Sequence, residues 1–582
     1  MDVDASLKIV GLYSWVQVIN ITISGLQLSL GTLQVTGIAL SVDQALEYYC
    51  KPSPGFTANE TTPLIYQDGR LVPDGCHMYS VLNGTLTENI TTCENGWEYP
   101  GSMSGETNTN SDFNLVCERG ILAGTLISLN YAGSLIGCYI TGQVSDIVGR
   151  RPVAICCLAL TSIIGTAISF TWNLELMMAL RFLLGMVLPG STLVSYVRLV
   201  EMFTPKSRTI GNMMSQNFWA LGVVMVAPIA YLLPNWRHFQ LAISLGCLPF
   251  LPLHWFFSYE SLRWLVQVGR AHKAEAILKK IAKSKNIKHE GGFLISQHED
   301  VPLTENVPLK ERPVPEEPED NQAISSPTKR DEAANERKPV CVSEEVNGNI
   351  IEDAENIGNN NVKESPGRKY TLLDLFKTRV LIKHTCIIWY LWFACDIMYF
   401  GLIVYTTSLS GNKYLNFFLL SLVEFLVYTH DCFITRRFGR KWPIAAFFAA
   451  SATACIMIAF LPEETAGGTD LTVLIVVIAM IGKFYSSASY DLTMLIAAEI
   501  FPTVLRNIAE GSAAAFGRIG GVVAPLIVHL GSKFSFLPMT IFALMSLVSC
   551  ICILMLPETK NRPLPEMYED VNKLTRGSES TR

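Results

Sequence analysis

Gly142-Gln143-Val144-Ser145-Asp146-Ile147-Val148-Gly149-Arg150-Arg151-Pro152 and, far along the chain, Arg436-Arg437-Phe438-Gly439-Arg440-Lys441-Trp442-Pro443 are two versions of one short basic turn. Each follows an apolar run long enough for a helix to cross a hydrocarbon core of about 30 Å, which takes about 20 residues. A glycine lets such a turn close tightly. The cations beside it sit at helix ends, where they can bond free carbonyls or a carboxylate such as Asp146. Those bonds can break, so Asp146, Gly149, Arg150 and Arg151 in the first copy, with Gly439 and Arg440 in the second, are candidate gating residues. The plainer alternative is that both turns are only positive anchors at the membrane surface.

Working outward from the turns, the chain contains twelve apolar stretches. Six lie near Ser14 to Leu40, Gly120 to Gln143, Val153 to Phe170, Leu176 to Leu199, Asn212 to Leu233 and Phe239 to Phe257. Six more lie near Leu381 to Thr407, Leu415 to Phe433, Pro443 to Leu461, Leu471 to Glu499, Ile508 to Leu530 and Phe536 to Leu556. The basic turns follow the second and the eighth, so the pattern is a duplicated bundle of six. A composition that is 49% hydrophobic and only 16% charged fits a bilayer protein better than a soluble enzyme. The stretches around Asp396, Glu424 and Asp491 are the most polar of the twelve.

Basic residues at Arg150-Arg151, Lys206 to Arg208, Lys279 to Lys288, Arg436 to Lys441 and Arg506 fall on one side of a twelve-helix count. The positive-inside rule makes that side cytosolic, with both termini. Residues 1–13 then form a cytosolic N-terminus, in which Asp2 and Asp4 argue against a cleaved signal peptide. On the opposite side lies one large loop, 41–116, with glycosylation sequons at Asn59, Asn83 and Asn89. A sequon at Asn20 falls inside the first membrane stretch, where no glycan can be added. The loop region also holds Cys50, Cys76, Cys93 and Cys117, which suggest two disulfides with three possible pairings in an oxidising space. Sequons and disulfides together favour the plasma membrane.

The halves 14–258 and 381–556 are joined by a linker, 259–380, and followed by a cytosolic tail, 557–582. From about 284 to 369 the linker is polar and rich in proline and acid, a composition expected to be disordered. Ser326-Pro327 makes it a candidate regulatory segment, although a simple tether explains it as well. There is no Walker loop, no dinucleotide fingerprint and no His/Cys/Glu spacing suited to a metal, so no enzyme, cofactor, metal site or nucleic-acid partner is expected. The expected partners are a small organic ion and the lipid bilayer; oligomeric state is not legible.

Beyond this pattern, the chain resembles the major facilitator superfamily and, within it, the organic ion transporters of solute carrier family 22. The residues that carry the resemblance are Ser111-Asp112-Phe113-Asn114-Leu115-Val116-Cys117, Glu260-Ser261-Leu262-Arg263-Trp264-Leu265, Gly482-Lys483 and Glu499-Ile500-Phe501-Pro502-Thr503-Val504-Leu505-Arg506-Asn507. Gly517-Arg518-Ile519-Gly520-Gly521-Val522-Val523-Ala524-Pro525 and Leu556-Pro557-Glu558-Thr559 complete the ordered set. The resemblance implies an all-α membrane protein with twelve transmembrane helices in two pseudo-symmetric six-helix bundles, the major facilitator fold, rocking about a central site. It also brings Glu499, Arg506 and Glu201 into the candidate gating set. Ile147 and Arg436 depart from the family's turn motif, so the second latch is expected to be weakened or rewired. Arg198 lies one helical turn from Glu201 and is expected to pair with it locally.

A charge inside a membrane helix costs about 2.5 to 3.5 kcal/mol on insertion scales, so it needs a partner or a ligand. Arg518 is the most informative such residue, because anion and carnitine carriers of the family resemble this chain in having Arg there. Its alternative is a salt bridge to Asp396 or Asp491. Those acids depart from the family pattern, and with Arg518 they could hold both ends of a zwitterion, the ammonium beside Tyr399 or Tyr490. The expected substrate-binding set is therefore Arg518, Asp396, Asp491, Tyr399 and Tyr490. The expected function is alternating-access transport of zwitterionic, carnitine-like or anionic solutes. The alternatives are an organic cation carrier and a non-transporting sensor with a carrier fold; a coupling proton or sodium ion would use one of the acids.

Overall fold

The structure is a computed structural model that describes residues 3–11, 14–42, 48–67, 70–82, 85–100, 105–203, 207–285, 287, 371–409, 411–462, 470–502, 505–531, 534–560, 562, 565 and 571. Among these, twelve helices are long and apolar enough to cross a membrane. In the first half they are α1 (Trp15–Ser41), α2 (Ile121–Val148), α3 (Arg150–Ser169), α4 (Leu174–Val200), α5 (Arg208–Leu232) and α6 (Trp236–Phe257). In the second they are α7 (Arg379–Tyr405), α8 (Lys413–Phe438), α9 (Lys441–Phe460), α10 (Thr472–Ile500), α11 (Arg506–Leu530) and α12 (Leu537–Leu554). Each expected stretch is helical, including the three polar ones, and eleven of the twelve are unbroken. At 1.5 Å per residue the 27 residues of α1 reach about 40 Å, enough to cross with some tilt. α6 is interrupted by turns at residues 246–249.

The helix contacts repeat between halves. α1 packs on α5 as α7 packs on α11, α3 on α6 as α9 on α12, and α2 on α4 as α8 on α10. Contacts between the halves follow the same symmetry, α2 against α11 and α5 against α8. This is the duplicated bundle that the paired basic turns foreshadow, and the chain is a multi-pass membrane protein.

The large loop is more ordered than its composition suggests. It contains three two-stranded antiparallel pairs: β1 (Tyr49–Cys50) with β6 (Trp97–Glu98), β2 (Leu64–Gln67) with β3 (Arg70–Pro73), and β4 (His77–Leu82) with β5 (Thr85–Thr92). Disulfides Cys50–Cys93 and Cys76–Cys117 select one of the three pairings and tie the loop to the start of α2. Asn59 and Asn89 are exposed, whereas Asn83 lies outside the described residues. Its far end is also pinned: Trp236 Nε1 and Arg237 Nε, at the start of α6, both donate to Asp112 Oδ2 at 2.9 Å.

On the side of the termini, the start of the linker is helical. Leu262–Gln267 and Ala271–Ser284 form two short helices that bury Leu265, Leu278 and Ile281 against Leu7 and Val10 of an N-terminal helix, Val3–Val10. The polar linker beyond, with Ser326-Pro327, and most of the tail lie outside the described residues.

Candidate functional site

The charged residues of the second half form two linked groups. In the first, Arg518 on α11 places Nη1 3.3 Å from Asp396 Oδ2 on α7, and Tyr490 on α10 donates to Asp396 Oδ1 at 2.6 Å. Gly520 allows this approach: a Cβ there would stand 2.4 Å from the Phe393 carbonyl oxygen of α7. The Asp396 side chain is 1% exposed and that of Arg518 24%; Arg518 Nε is itself buried and has no hydrogen-bond partner among the described residues. Arg518 is thus paired with Asp396, the alternative that its sequence context left open, and Asp491 does not join it.

The second group centres on Tyr399 of α7. Its hydroxyl donates to Glu424 of α8 at 2.9 Å and accepts from Trp219 Nε1 of α5 at 2.7 Å. Lys483 of α10 lies 3.2 Å from Glu424 Oε1 and 3.4 Å from the centre of the Tyr399 ring, an ion pair and a cation–π contact at one ammonium. The side chains of Glu424 and Lys483 are 0% and 2% exposed. The rings of Tyr399 and Tyr490 stand 5.8 Å apart and join the two groups. Sequence reading placed Tyr399 here but missed Glu424 and Lys483 as site residues. The signal was available, since two opposite charges in apolar helices of one half each need a partner.

Asp491 stands apart. It is half-buried, and its hydrogen bond comes from the Gln216 amide of α5 at 3.4 Å. No cation is paired with it among the described residues.

The candidate gating residues form two matching clusters, each inside its own half. In the first, Arg150 bonds Asp146 and Glu201, both at 3.1 Å, and the backbone amides of Arg150 and Arg151 donate to Glu260. Gly149 has φ +121° there, a value that a side chain would oppose. In the second, Arg440 bonds Glu499 at 2.9 Å, the amides of Arg440 and Lys441 donate to Glu558, and Gly439 has φ +95°. Glu260 and Glu558 therefore cap the first turns of α3 and α9, where backbone N–H groups lack helical partners. Sequence reading quoted both acids without giving them this role.

Three expectations change. The second cluster is not the weaker one: Arg440 hydrogen-bonds Glu499 through Nε and Nη2, whereas Arg150 and Glu201 make an ion-pair contact without a hydrogen bond; the Arg436 side chain lies outside the described residues. Arg506 is not part of it and donates instead to the Phe501 carbonyl at 3.4 Å. Arg198 does not pair with Glu201. It turns inward, fully buried, and bonds Ser258 and Ser24 at 2.8 Å and His254 at 3.3 Å, so that the helix face on which it lies, rather than its spacing from Glu201, decides its partner.

What joins the halves is concentrated on the side of the large loop. Ser128 of α2 donates to the Val522 carbonyl of α11 at 2.6 Å, and Gly124 lies against Pro525. Toward the other end of the same helices, a Cβ at Gly142 or Gly511 would meet no atom within 4 Å. The halves are therefore in contact at the loop side, while near the opposite end of α2 and α11 these two glycines face open space.

Comparison with known proteins agrees with this architecture. Residues 78–299 and 331–571 match the family described as "Sugar (and other) transporter". Solute carrier family 22 member 16 of Xenopus laevis is 29% identical, over 86% of this chain and 77% of that protein. The organic cation transporter protein of Drosophila melanogaster is 30% identical, over 85% and 81%, and the beta-alanine transporter of the same organism 29%, over 83% and 69%. Among solved structures, the partially occluded inward-open xylose transporter XylE of E. coli superposes with a TM-score of 0.56 at 14% identity, covering 95% of this chain and all of that one. The chain belongs to the sugar (and other) transporter family, has the major facilitator fold, and is similar to the membrane transporters of solute carrier family 22.

Proposed function

We propose that this transporter carries small organic ions bearing an ammonium group, zwitterions above all, across the plasma membrane by alternating access, with the large loop outside and both termini in the cytosol. The observation that carries this reading is the balance of buried charge in the second half. Arg518 is offset by Asp396 and Lys483 by Glu424, which leaves Asp491 with an amide and Asp431 with His430 beside it, an excess of acid over Arg and Lys at the site. A half-buried carboxylate without a cation favours a cationic ligand, and Tyr490 beside it adds a ring face for an ammonium. Arg518, whose side chain is 24% exposed, keeps donors for a substrate carboxylate while Asp396 cancels its net charge. The two cations of the described site, Arg518 and Lys483, are both offset by acids, which moves the anionic alternative below the zwitterionic one. The relatives named for organic cations and for beta-alanine support the same choice, since both kinds of substrate carry a cationic nitrogen. The helix-end clusters of Arg150 and Arg440 hold the cytosolic end of each half rigid as the halves rock. No cofactor enters this reading; a coupling proton or sodium ion would have the same unpaired acid to bind.

The test is uptake by the purified protein in liposomes of three labelled solutes: a small amino-acid zwitterion, a quaternary ammonium and an aromatic carboxylate. The first two should enter, and Asp491→Asn should lower their kcat/KM about 10- to 100-fold, the worth of a charged hydrogen bond of about 1.5 to 3 kcal/mol. Preferred entry of the carboxylate would overturn the reading. Binding without flux would favour a sensor.

A further inference from the structure

The loop side holds a polar contact between the halves that the substrate site does not use. Glu106, in the last part of the large loop, reaches Lys413 Nζ, the first residue of α8, at 2.5 Å, and the Tyr414 hydroxyl donates to the same Glu106 oxygen at 3.0 Å. Tyr414 also sets its ring edge-on to that of Tyr231, at the end of α5, with centres 5.8 Å apart.

Both partners are rigid parts of their own halves. On one side, Thr107, the next residue after Glu106, exchanges backbone bonds with the turn before α6: its amide donates to the Pro234 carbonyl at 3.3 Å and its carbonyl accepts from the Trp236 amide at 3.1 Å. Five residues further, Asp112 is gripped by Trp236 and Arg237, and the Cys76–Cys117 disulfide follows. On the other side, Asn412 caps α8 by accepting from the amides of Tyr414 and Leu415 at 3.0 and 3.1 Å. The loop at Glu106 therefore cannot follow α8 without breaking these bonds, and relative motion of the halves must fall on the Glu106–Lys413–Tyr414 contact itself.

We propose that Glu106, Lys413 and Tyr414 form the latch that holds the loop-side gate shut, and that it breaks each time the gate opens. The latch rests on the alternating-access reading above. It makes Glu106 a positioning residue carried by the loop, which gives that loop a mechanical role in the transport cycle. The side chains of Glu106 and Lys413 are 34% and 23% exposed, so water can replace the bond once it parts and the gate is not sealed permanently. A partly exposed ion pair of this kind changes an open-to-closed ratio by about two- to fivefold.

Spin labels at Glu94→Cys and Phe534→Cys, both loop-side positions in opposite halves, read gate opening directly by pulsed dipolar distance measurement on the full chain in lipid nanodiscs. The exposed Cys156 and Cys386 are replaced by serine for this purpose. In Glu106→Gln and in Lys413→Met the long-distance population should rise about two- to fivefold. The reversed pair Glu106→Lys with Lys413→Glu should bring it back toward the starting value. An unchanged distribution in both single variants, or a reversed pair no better than either, would overturn the latch. Because this readout needs no flux, liposome uptake that failed while the distances shifted would sink the transport reading and leave the latch standing.

Discussion

Replacing Asp396 with Asn should alter both the stability and the charge preference of this transporter. The amide keeps the size of the carboxylate and its bond from the Tyr490 hydroxyl, but removes the charge that offsets Arg518 at 3.3 Å. Two unit charges about 4 Å apart interact by about 4 kcal/mol at an effective dielectric constant near 20. With 24% of the Arg518 side chain exposed, screening by solvent lowers that to about 1 to 2 kcal/mol. The Asn variant should therefore take up an aromatic carboxylate with a KM about tenfold lower than the parent, while a quaternary ammonium loses ground. Stability gives an independent reading through a double-mutant cycle of Arg518→Ala and Asp396→Asn, with reversible unfolding followed by SDS titration in mixed micelles. Arg518→Ala alone strands a buried carboxylate and should cost about 2 to 3 kcal/mol; the double variant should recover about 2 kcal/mol of that loss. Additivity of the two changes to within about 0.5 kcal/mol, together with an unchanged carboxylate KM, would refute the pairing as the element that sets charge preference.

Other consequences can be checked separately. Glu424→Gln leaves the buried Lys483 ammonium without its acid and should cost about 3 to 5 kcal/mol, seen as lost surface expression; adding Lys483→Met should restore most of it, which fluorescence size-exclusion of solubilised protein can measure. Burial pushes the Glu106 carboxyl up, but the Lys413 ammonium and the Tyr414 hydroxyl pull it down further, so its value is lowered on balance. A lowered acid stabilises the closed gate at pH above its ordinary range and loses that effect as pH falls through the lowered value, so the spin-label distances should shift toward the open form only in strongly acidic buffer, and Glu106→Gln should abolish the shift. Gly520→Ala, whose new Cβ would stand 2.4 Å from a backbone oxygen, should cost about 1 to 3 kcal/mol of stability by pushing α11 off α7, whereas Gly511→Ala, with nothing within 4 Å, should be close to neutral in the same titration.

Much of this architecture was legible because it depends on properties that a single sequence carries. Helix length and apolarity fix the spans, and the duplicated turns at Gly149 and Gly439 fix the relation of the halves. Pairing is different, since it depends on which face of a helix meets which neighbour. The spacing of Arg198 and Glu201 suggested a local pair, yet α4 turns Arg198 toward Ser24 of α1 and His254 of α6 and leaves Glu201 to Arg150. Four loop cysteines allowed three disulfide sets, and the partners come from the folded path of the loop. Glu424 and Lys483 could have been joined on the cost of isolated membrane charges, but nothing in their spacing says that α8 and α10 face each other through Tyr399.

The location of these bonds, within one half or across two, indicates which of them a rocking motion can use. Arg518–Asp396 and Lys483–Glu424 lie wholly in the second half, and Arg150–Glu201 and Arg440–Glu499 each lie within one half, so all four can ride through the cycle intact. Among the described residues, bonds that cross include neutral or partly exposed ones: Trp219 to Tyr399, Gln216 to Asp491, Ser128 to Val522, and Glu106 to Lys413 and Tyr414. An ordinary hydrogen bond contributes about 0.5 to 1.5 kcal/mol net, whereas breaking a buried ion pair costs about 3 to 5. Keeping the expensive bonds inside each half and the cheap ones between halves lowers the cost of moving one half against the other, so that under the proposed function a bound ammonium would be enough to tip the balance. Asp491 is where such a ligand would act, because its only hydrogen bond among those described is one that must break in any case, the amide of Gln216 on the opposite half.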